Sequence, residues 1–164
     1  MPKKNAIPQA PLAPLVPLAS RPGFLVRRLN QIHLALFLEE CRQFDITPVQ
    51  YGMLTALQAS PGLDQKSLGL EVGLDRTNTA DVVKRLEARG LVRREQSAID
   101  GRVKHVFITA DGKKIVKAMY ADMIAAQERL LAPLPETERQ TFLELLRTLV
   151  EANNEFGRAS MRAL

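Results

Sequence analysis

One stretch constrains this chain more than any other: Asp75-Arg76-Thr77-Asn78-Thr79-Ala80-Asp81-Val82-Val83-Lys84-Arg85-Leu86-Glu87-Ala88-Arg89-Gly90. It reads as a single short helix with a stop signal at each end. Asp75 can cap the N-terminus, because its carboxylate can accept from the free backbone N–H groups of the first turn. Gly90 can take the left-handed conformation that closes a helix, and Leu91 follows as the apolar residue that packs back on it. Between them, Thr79, Val82, Val83 and Leu86 recur at helical spacing as a narrow inward stripe. Arg76, Thr77, Asn78, Asp81, Lys84 and Arg85 fall largely on the rest. An outer face of Arg, Thr, Asn and Lys carries the groups that read base edges and bind phosphates. The same pattern alone also fits an amphipathic helix with a solvated basic face, so the neighbouring segments decide.

Upstream, Thr47-Pro48-Val49-Gln50 is a capping box with proline at the first helical position. It predicts a helix with Val49, Met53, Leu54 and Leu57 turned inward, stopped by Ser60-Pro61-Gly62. Asp64 can cap a short third helix, packed through Leu68 and Val72 and ended by Gly73. Two short helices joined by a tight Gly-containing turn make a helix-turn-helix. Downstream of Gly90 the period changes. Leu91 to Glu95 and Val103 to Thr109 read as two short strands around Ser97-Ala98-Ile99-Asp100-Gly101, with Asp-Gly as the turn signal. The flanks are basic, with Arg93, Arg94, Arg102 and Lys104. A basic hairpin directly after a candidate reading helix is a wing.

The remainder frames this lobe. In residues 1–22, Pro8, Pro11, Pro14 and Pro17 recur every third position, which suits an extended arm and not a helix. Such an arm is either disordered or, given Leu12, Leu15, Val16 and Leu18, laid on the protein or on a second subunit. Lys3 and Lys4 precede an apolar run, but the prolines break the helical core that a signal peptide needs. Phe24 to about Gln43 reads as a long helix striped by Leu25, Leu29, Ile32 and Leu36, and widened by Leu34, Phe37 and Leu38. Thr109 can cap another, Ala110 to Leu131, with Ile115, Met119, Met123, Ala126 and Leu130 on one face. Pro133-Leu134-Pro135 breaks it. A last helix from Glu136 places Phe142, Leu145, Leu146 and Leu149 inward.

These three outer helices are too apolar for a monomer of 164 residues, so a homodimer is expected. The fold class is mainly α with a small β-hairpin wing: a winged helix-turn-helix lobe on a helical dimerisation base. The expected divisions are the arm (1–22), a dimerisation helix (23–47), the DNA-binding lobe (48–110) and C-terminal dimerisation helices (111–164).

Composition narrows the function. A net charge of +5 suits an anionic partner, and the apolar fraction of 46% supplies a full core. With one cysteine, Cys41, and two histidines far apart, there is no disulfide framework and no zinc-ligand spacing. No phosphate loop, nucleophile elbow or catalytic constellation appears, so neither an enzyme nor a bound cofactor is expected. No run of about 18 apolar residues appears, so no transmembrane helix and no membrane partner is expected, and the single cysteine suits a reducing cytoplasm.

Taken together, Thr47-Pro48-Val49-Gln50-Tyr51, the string Leu86-Glu87-Ala88-Arg89-Gly90-Leu91-Val92-Arg93-Arg94, Asp100-Gly101-Arg102 and Ile108-Thr109-Ala110-Asp111-Gly112 resemble the MarR family of bacterial transcription regulators. The similarity covers roughly residues 24 to 160. It implies a homodimer on double-stranded operator DNA, with the opening helix in the major groove and the wing in the adjacent minor groove. Carried over residue by residue, Arg76, Thr77, Asn78 and Thr79 face bases and nearby phosphates. Lys84 and Arg85 face the backbone, and Asp81, Arg94 and Lys104 complete the surface. Arg102 enters the minor groove, oriented by a charge-assisted hydrogen bond that it donates to Asp100. Many relatives carry Arg where this chain has Gly101, a departure that weakens a phosphate contact and leaves the wing tip more flexible.

The resemblance also implies a switch, usually a repressor released by a small ligand, often a phenolic or aromatic acid. Pro22 to His33 resembles a branch tied to aromatic-acid breakdown, in which some members sense the acyl-CoA thioester. The candidate contacts for a small anionic aromatic ligand are Arg27, Arg28, Asn30, His33 and Tyr51. For Arg27 and Arg28 the alternative is ion pairing across a dimer, and for His33 a satisfied interface position. Two other functions stay open: an oxidant sensor through Cys41, set against inert packing, and a winged-helix protein-interaction module without a DNA role.

Overall fold

The structure is a computed structural model that describes residues 16–97, 99–157 and 159. Of the proline-rich arm, Pro8, Pro11, Leu12, Pro14 and Leu15 lie outside the described residues. After a 3-10 turn at Leu18–Ser20, helix α1 runs Pro22–Glu40. It opens ahead of Phe24 because Pro22 occupies the first turn, where its missing N–H leaves no bond unmade. It stops short of Gln43. The chain turns through a 3-10 segment, Arg42–Phe44, and then through Asp45 at φ 51°. That turn delivers Ile46 to the core.

Helix α2, Pro48–Ala59, begins with both halves of its capping box: Thr47 Oγ1 accepts from the Gln50 N–H at 3.3 Å and Gln50 Oε1 from the Thr47 N–H at 2.9 Å. Met53, Leu54 and Leu57 are fully buried. Val49, expected inward, is exposed, and Gln50 and Tyr51 are buried instead. Gln50 precedes Met53, Leu54 and Leu57 at helical spacing and shares their face, while Val49 lies at its edge.

A two-residue strand β1, Leu63–Asp64, leads into α3, Gln65–Val72. Asp64 caps α3 through the Lys66 and Ser67 N–H groups at 2.9 and 3.0 Å, and Gly73 ends it at φ 68°. Helix α4 spans Arg76–Ala88, and strands β2 (Val92–Gln96) and β3 (Lys104–Ile108) form the wing. The sheet has three strands, not the hairpin's two. Its order is β1-β3-β2, antiparallel throughout, with Leu63 opposite Val106 and Val92 opposite Ile108. A strand of two residues is too short to leave an alternating pattern in the sequence.

Thr109 performs two tasks at the base of the wing. Its hydroxyl accepts from the Gly112 N–H at 3.1 Å, capping α5 (Ala110–Leu131), and donates to the Gly90 carbonyl at 2.7 Å. Gly112 packs on the Leu91 carbonyl so closely that a Cβ would overlap it. Helix α5 therefore leaves the lobe at a fixed angle and lies along α1. Arg129 pairs with Glu39 at 3.2 Å and with Glu40, and Gln43 donates to Asp122 at 2.7 Å. Helix α6, Glu136–Ala152, is joined to α5 by Arg139 and Glu128 at 3.0 Å.

One core unites these elements. Phe37 of α1 and its C-cap Cys41 meet Met53, Leu54 and Leu57 of α2, Leu68 of α3, Val83 and Leu86 of α4, Val106 of β3 and Met119 of α5. Each fully buried Leu, Val or Met stabilises the fold by about 1.5–3 kcal/mol over its exposed state. Helix α6 joins this core least. Phe142 and Leu146 are half-buried, but Leu145 and Leu149, both expected inward, are 60% and 58% exposed. Leu25 and Ile32 of α1 are likewise exposed, where the α1 stripe was expected to be buried. A single chain has nothing to lay over these faces. Among the described residues, no helix is long and apolar enough to cross a membrane.

Candidate nucleic-acid interface

The surface of interest begins at the Asp75 cap. One carboxylate oxygen accepts from the Asn78 backbone N–H at 2.9 Å, and the other from Asn78 Nδ2 at 2.6 Å. A carboxylate only accepts, so the Asn78 nitrogen must face it and Oδ1 must turn away. Arg76, Thr77, Asn78, Asp81, Lys84 and Arg85 are all exposed along α4, because Thr79, Val83 and Leu86 hold the opposite face in the core. The result is a polar ridge with fixed azimuth and an ordered N-terminal turn.

Thr79 does not belong to that ridge. It is 1% exposed, and its hydroxyl donates to the Asp75 carbonyl at 2.8 Å. This corrects its assignment as a base contact; the inward stripe is its place. The cause is Gly69 of α3, where a Cβ would stand 2.7 Å from Thr79 Oγ1 and 2.8 Å from the Leu74 carbonyl. The two helices cross at the closest approach that a glycine permits, and Thr79 is the residue at the crossing.

The wing supplies a second exposed basic set, Arg93, Arg102 and Lys104. Arg93 lies over the Phe107 ring at 4.5 Å and pairs with Glu95. Arg94 is spent inside the lobe. Both its Nε, at 2.9 Å, and a terminal nitrogen donate to one Glu87 oxygen, joining the end of α4 to β2. The Arg94 guanidinium holds the Glu87 carboxyl below the usual glutamate range. Arg94 is therefore a brace between α4 and the wing.

Asp100 also acts differently. Its Oδ1 accepts from the Arg102 backbone N–H at 2.9 Å, so it shapes the turn and does not hold the guanidinium. Gln96 Nε2 donates to the Gly101 carbonyl at 2.6 Å, and Ser97 Oγ accepts from the Asp100 N–H at 3.3 Å. The wing turn is thus closed by its own side chains where a looser tip was expected from Gly101.

The candidate ligand contacts come together only in part. The His33 and Phe37 rings lie 6.3 Å apart, and the Phe37 and Tyr51 rings meet edge-on at 6.4 Å. Tyr51 is 8% exposed, and burial pushes its phenol up from the ordinary range. Arg27 is exposed over the Phe24 ring at 5.4 Å, Arg28 donates to Gln31 at 2.9 Å, and Asn30 is exposed. An aromatic ladder is formed, while the two arginines are engaged along their own helix. Cys41 is 1% exposed. Burial pushes its thiol up, and the Asp122 and Glu40 carboxylates push it further. Oxidant sensing needs an accessible, acidified thiol, so Cys41 has the opposite character.

Sequence reasoning missed Gly69, Glu87 and Arg89. Glu87 and Arg94 face each other across a helix end, where no periodicity connects them. Arg89, at the C-cap of α4, sends its guanidinium to the turn before α2, donating to the Phe44 carbonyl at 3.0 Å and to that of Asp45. No local pattern signals a bond to backbone groups so distant in sequence.

Residues 44–103 match the MarR family, the segment that holds the ridge and the first strand and turn of the wing. Over 76% of the chain and 91% of the relative, the sequence is 33% identical to the transcriptional regulator HosA of Escherichia coli O127:H6. The chain belongs to the MarR family. The PcaV transcriptional regulator from Streptomyces coelicolor, solved in complex with its natural ligand, matches with a TM-score of 0.77 at 36% identity, covering 85% of this chain and 99% of that one. The transcriptional repressor CouR bound to a 23-mer DNA duplex matches with a TM-score of 0.76 at 26% identity, covering 81% and 94%. As a MarR-family winged helix, the protein is a DNA-binding transcriptional regulator. The alternative of an interaction module without a DNA role gives way to that membership.

Proposed function

We propose that this MarR-family regulator is a homodimeric repressor that leaves a pseudo-palindromic operator when an aromatic acid or its CoA thioester binds. The observation that carries the DNA half is the α4 ridge. Arg76, Thr77, Asn78, Asp81, Lys84 and Arg85 project together while the buried stripe anchors the helix behind them. Their donors and acceptors suit base edges in the major groove, and Arg102 with Lys104 suits the electronegative minor groove beside it. Two such lobes related by a two-fold axis read half-sites about one helical turn, roughly 10 base pairs, apart. The exposed leucines of α6 and α1 supply the self-complementary face.

The ligand half rests on the His33–Phe37–Tyr51 ladder, which lies where α1 meets α2. Support comes from neighbours of this fold. PcaV holds its natural ligand, and DNA binding by Bordetella bronchiseptica BpsR is regulated by 6-hydroxynicotinic acid. The test joins two measurements. Gel shifts on the DNA upstream of the protein's own coding sequence should give a complex that weakens steeply with salt. A thermal-shift screen of aromatic acids and their CoA thioesters should find compounds that raise the melting temperature and dissolve that complex. A complex indifferent to salt would refute the DNA reading. Compounds that stabilise the protein without releasing DNA would refute the switch.

A further inference from the structure

Arg89 occupies a place that neither the DNA-reading ridge nor the ligand ladder explains. It is the C-cap residue of α4, at the far end of the helix from Arg76. Its side chain is 33% exposed and reaches the turn that joins α1 to α2. There one terminal nitrogen donates to the Phe44 carbonyl at 3.0 Å and the other to the carbonyl of Asp45. Asp45 is the one non-glycine residue at positive φ among the described residues, so this turn holds a specific and unusual shape. The Asp45 carboxylate is 3.8 Å from Arg89 and 99% exposed, which makes it a minor part of the contact. The planar fork of the guanidinium fits two successive carbonyls in a way that a single ammonium cannot.

Four other polar contacts of α4 stay within the helix-turn-helix and its wing. Asp75 and Asn78 close its first turn, Thr79 bonds back to Asp75, and Glu87 braces the wing. Arg89 instead reaches a segment ahead of α2, outside the helix-turn-helix. A helix of 13 residues is about 20 Å long, so a tilt of about 3° at its C-terminus moves its N-terminal residues by about 1 Å. Hydrogen bonds to base edges tolerate only a few tenths of an ångström. Pinning the C-terminus of α4 therefore sets whether Arg76, Thr77 and Asn78 meet the bases.

We propose that Arg89 is a positioning residue for DNA reading, fixing the tilt of α4 by forking its guanidinium onto the Phe44 and Asp45 carbonyls without touching DNA. This rests on α4 being the helix that enters the groove, and failure of the wild-type protein to bind operator DNA would overturn that premise separately.

The experiment measures operator affinity over a range of salt concentrations for wild type, Arg89→Ala, Arg89→Lys and Asp45→Gly, each checked for folding by circular dichroism. Arg89→Ala should weaken binding about tenfold with the salt slope unchanged. A phosphate contact would instead lower the slope by about one for each site lost. Arg89→Lys keeps the charge but loses the fork, and should bind as weakly as Arg89→Ala. Asp45→Gly keeps the carbonyl acceptors and favours the positive φ, so it should bind as wild type does. Wild-type affinity in Arg89→Lys, a lowered slope in Arg89→Ala, or a tenfold loss in Asp45→Gly would each overturn the assignment. If Arg89→Ala does not fold, the lysine and glycine variants decide it alone.

Discussion

Asn78 and Thr79 are adjacent in sequence and opposite in role. The Asp75 cap takes hold of Asn78 and leaves its Oδ1 outward, while Thr79 sinks against Gly69. Helical geometry alone explains the divergence, since successive residues point about 100° apart. Gly69→Ala would place a methyl group on Thr79 Oγ1 and on the Leu74 carbonyl, and the latter is backbone that cannot easily retreat. Chemical denaturation should show a loss of about 1–3 kcal/mol, the usual cost of overpacking. Cys41 makes a residue-scale prediction of the opposite kind. A buried thiol whose pKa is raised presents little thiolate. Reporter repression under peroxide should therefore be the same in Cys41→Ala and wild type, and a response lost in the variant would contradict this.

At the scale of elements, the brace between α4 and β2 gives a pH dependence. Glu87 has its pKa lowered by the hydrogen bond from Arg94, so the pair's contribution is present above the ordinary glutamate pKa of about 4.3. It is lost as pH falls from there through the lower folded value. Urea midpoints measured between neutral and acid pH should fall less steeply for Glu87→Gln than for wild type over that window. Both side chains are close to one-third exposed, so the difference should be modest. In the wing, Arg102→Ala should weaken operator binding and lower the salt slope by about two for a dimer with one phosphate-range contact per protomer. Gel filtration of that variant should be unchanged.

Elements were legible in the sequence where a single residue type dictates local geometry. The caps at Thr47, Asp64, Asp75 and Thr109, and the helix stops at Gly73 and Gly90, each act on their own backbone within a few residues. The ridge on α4 was legible for the same reason, because its exposure follows from a 3.6-residue period. Contacts between elements were not. The β1 pairing with β3, the Gly69–Thr79 crossing, and the partners of Arg89 and Arg94 all join residues with no shared periodicity. Asp100 shows the intermediate case: its proximity to Arg102 was visible, but which atom it grips was not.

On the scale of the whole molecule, α6 carries the clearest unmet demand. Leu145 and Leu149 lie one helical turn apart on its exposed face. Replacing both by glutamate should leave the lobe folded, because neither side chain enters its core. It should convert a dimer to a monomer in sedimentation. Operator affinity should then fall by about 10²–10⁴, since the second half-site is no longer held at high effective concentration. A variant that stays dimeric would place the interface elsewhere.

The two-residue strand β1 bears on how any signal can travel. It stitches the connection between α2 and α3 to the middle strand of the wing, and the Gly62 N–H adds a bond to the Val106 carbonyl at 3.1 Å. Thr109 closes the other side through its N–H to the Leu91 carbonyl at 3.0 Å. Helix-turn-helix and wing are thereby welded into one head, joined to the helical base by residues 45–47 and 109–110 and by the core they share. Arg89 grips the first of these connections at the Phe44 and Asp45 carbonyls, so the tilt it sets is measured against the base. Native-state hydrogen exchange should accordingly show the Gly62 and Thr109 amides opening together, with one common free energy. The operator is then gauged like the gap between caliper jaws, by one angle at these connections.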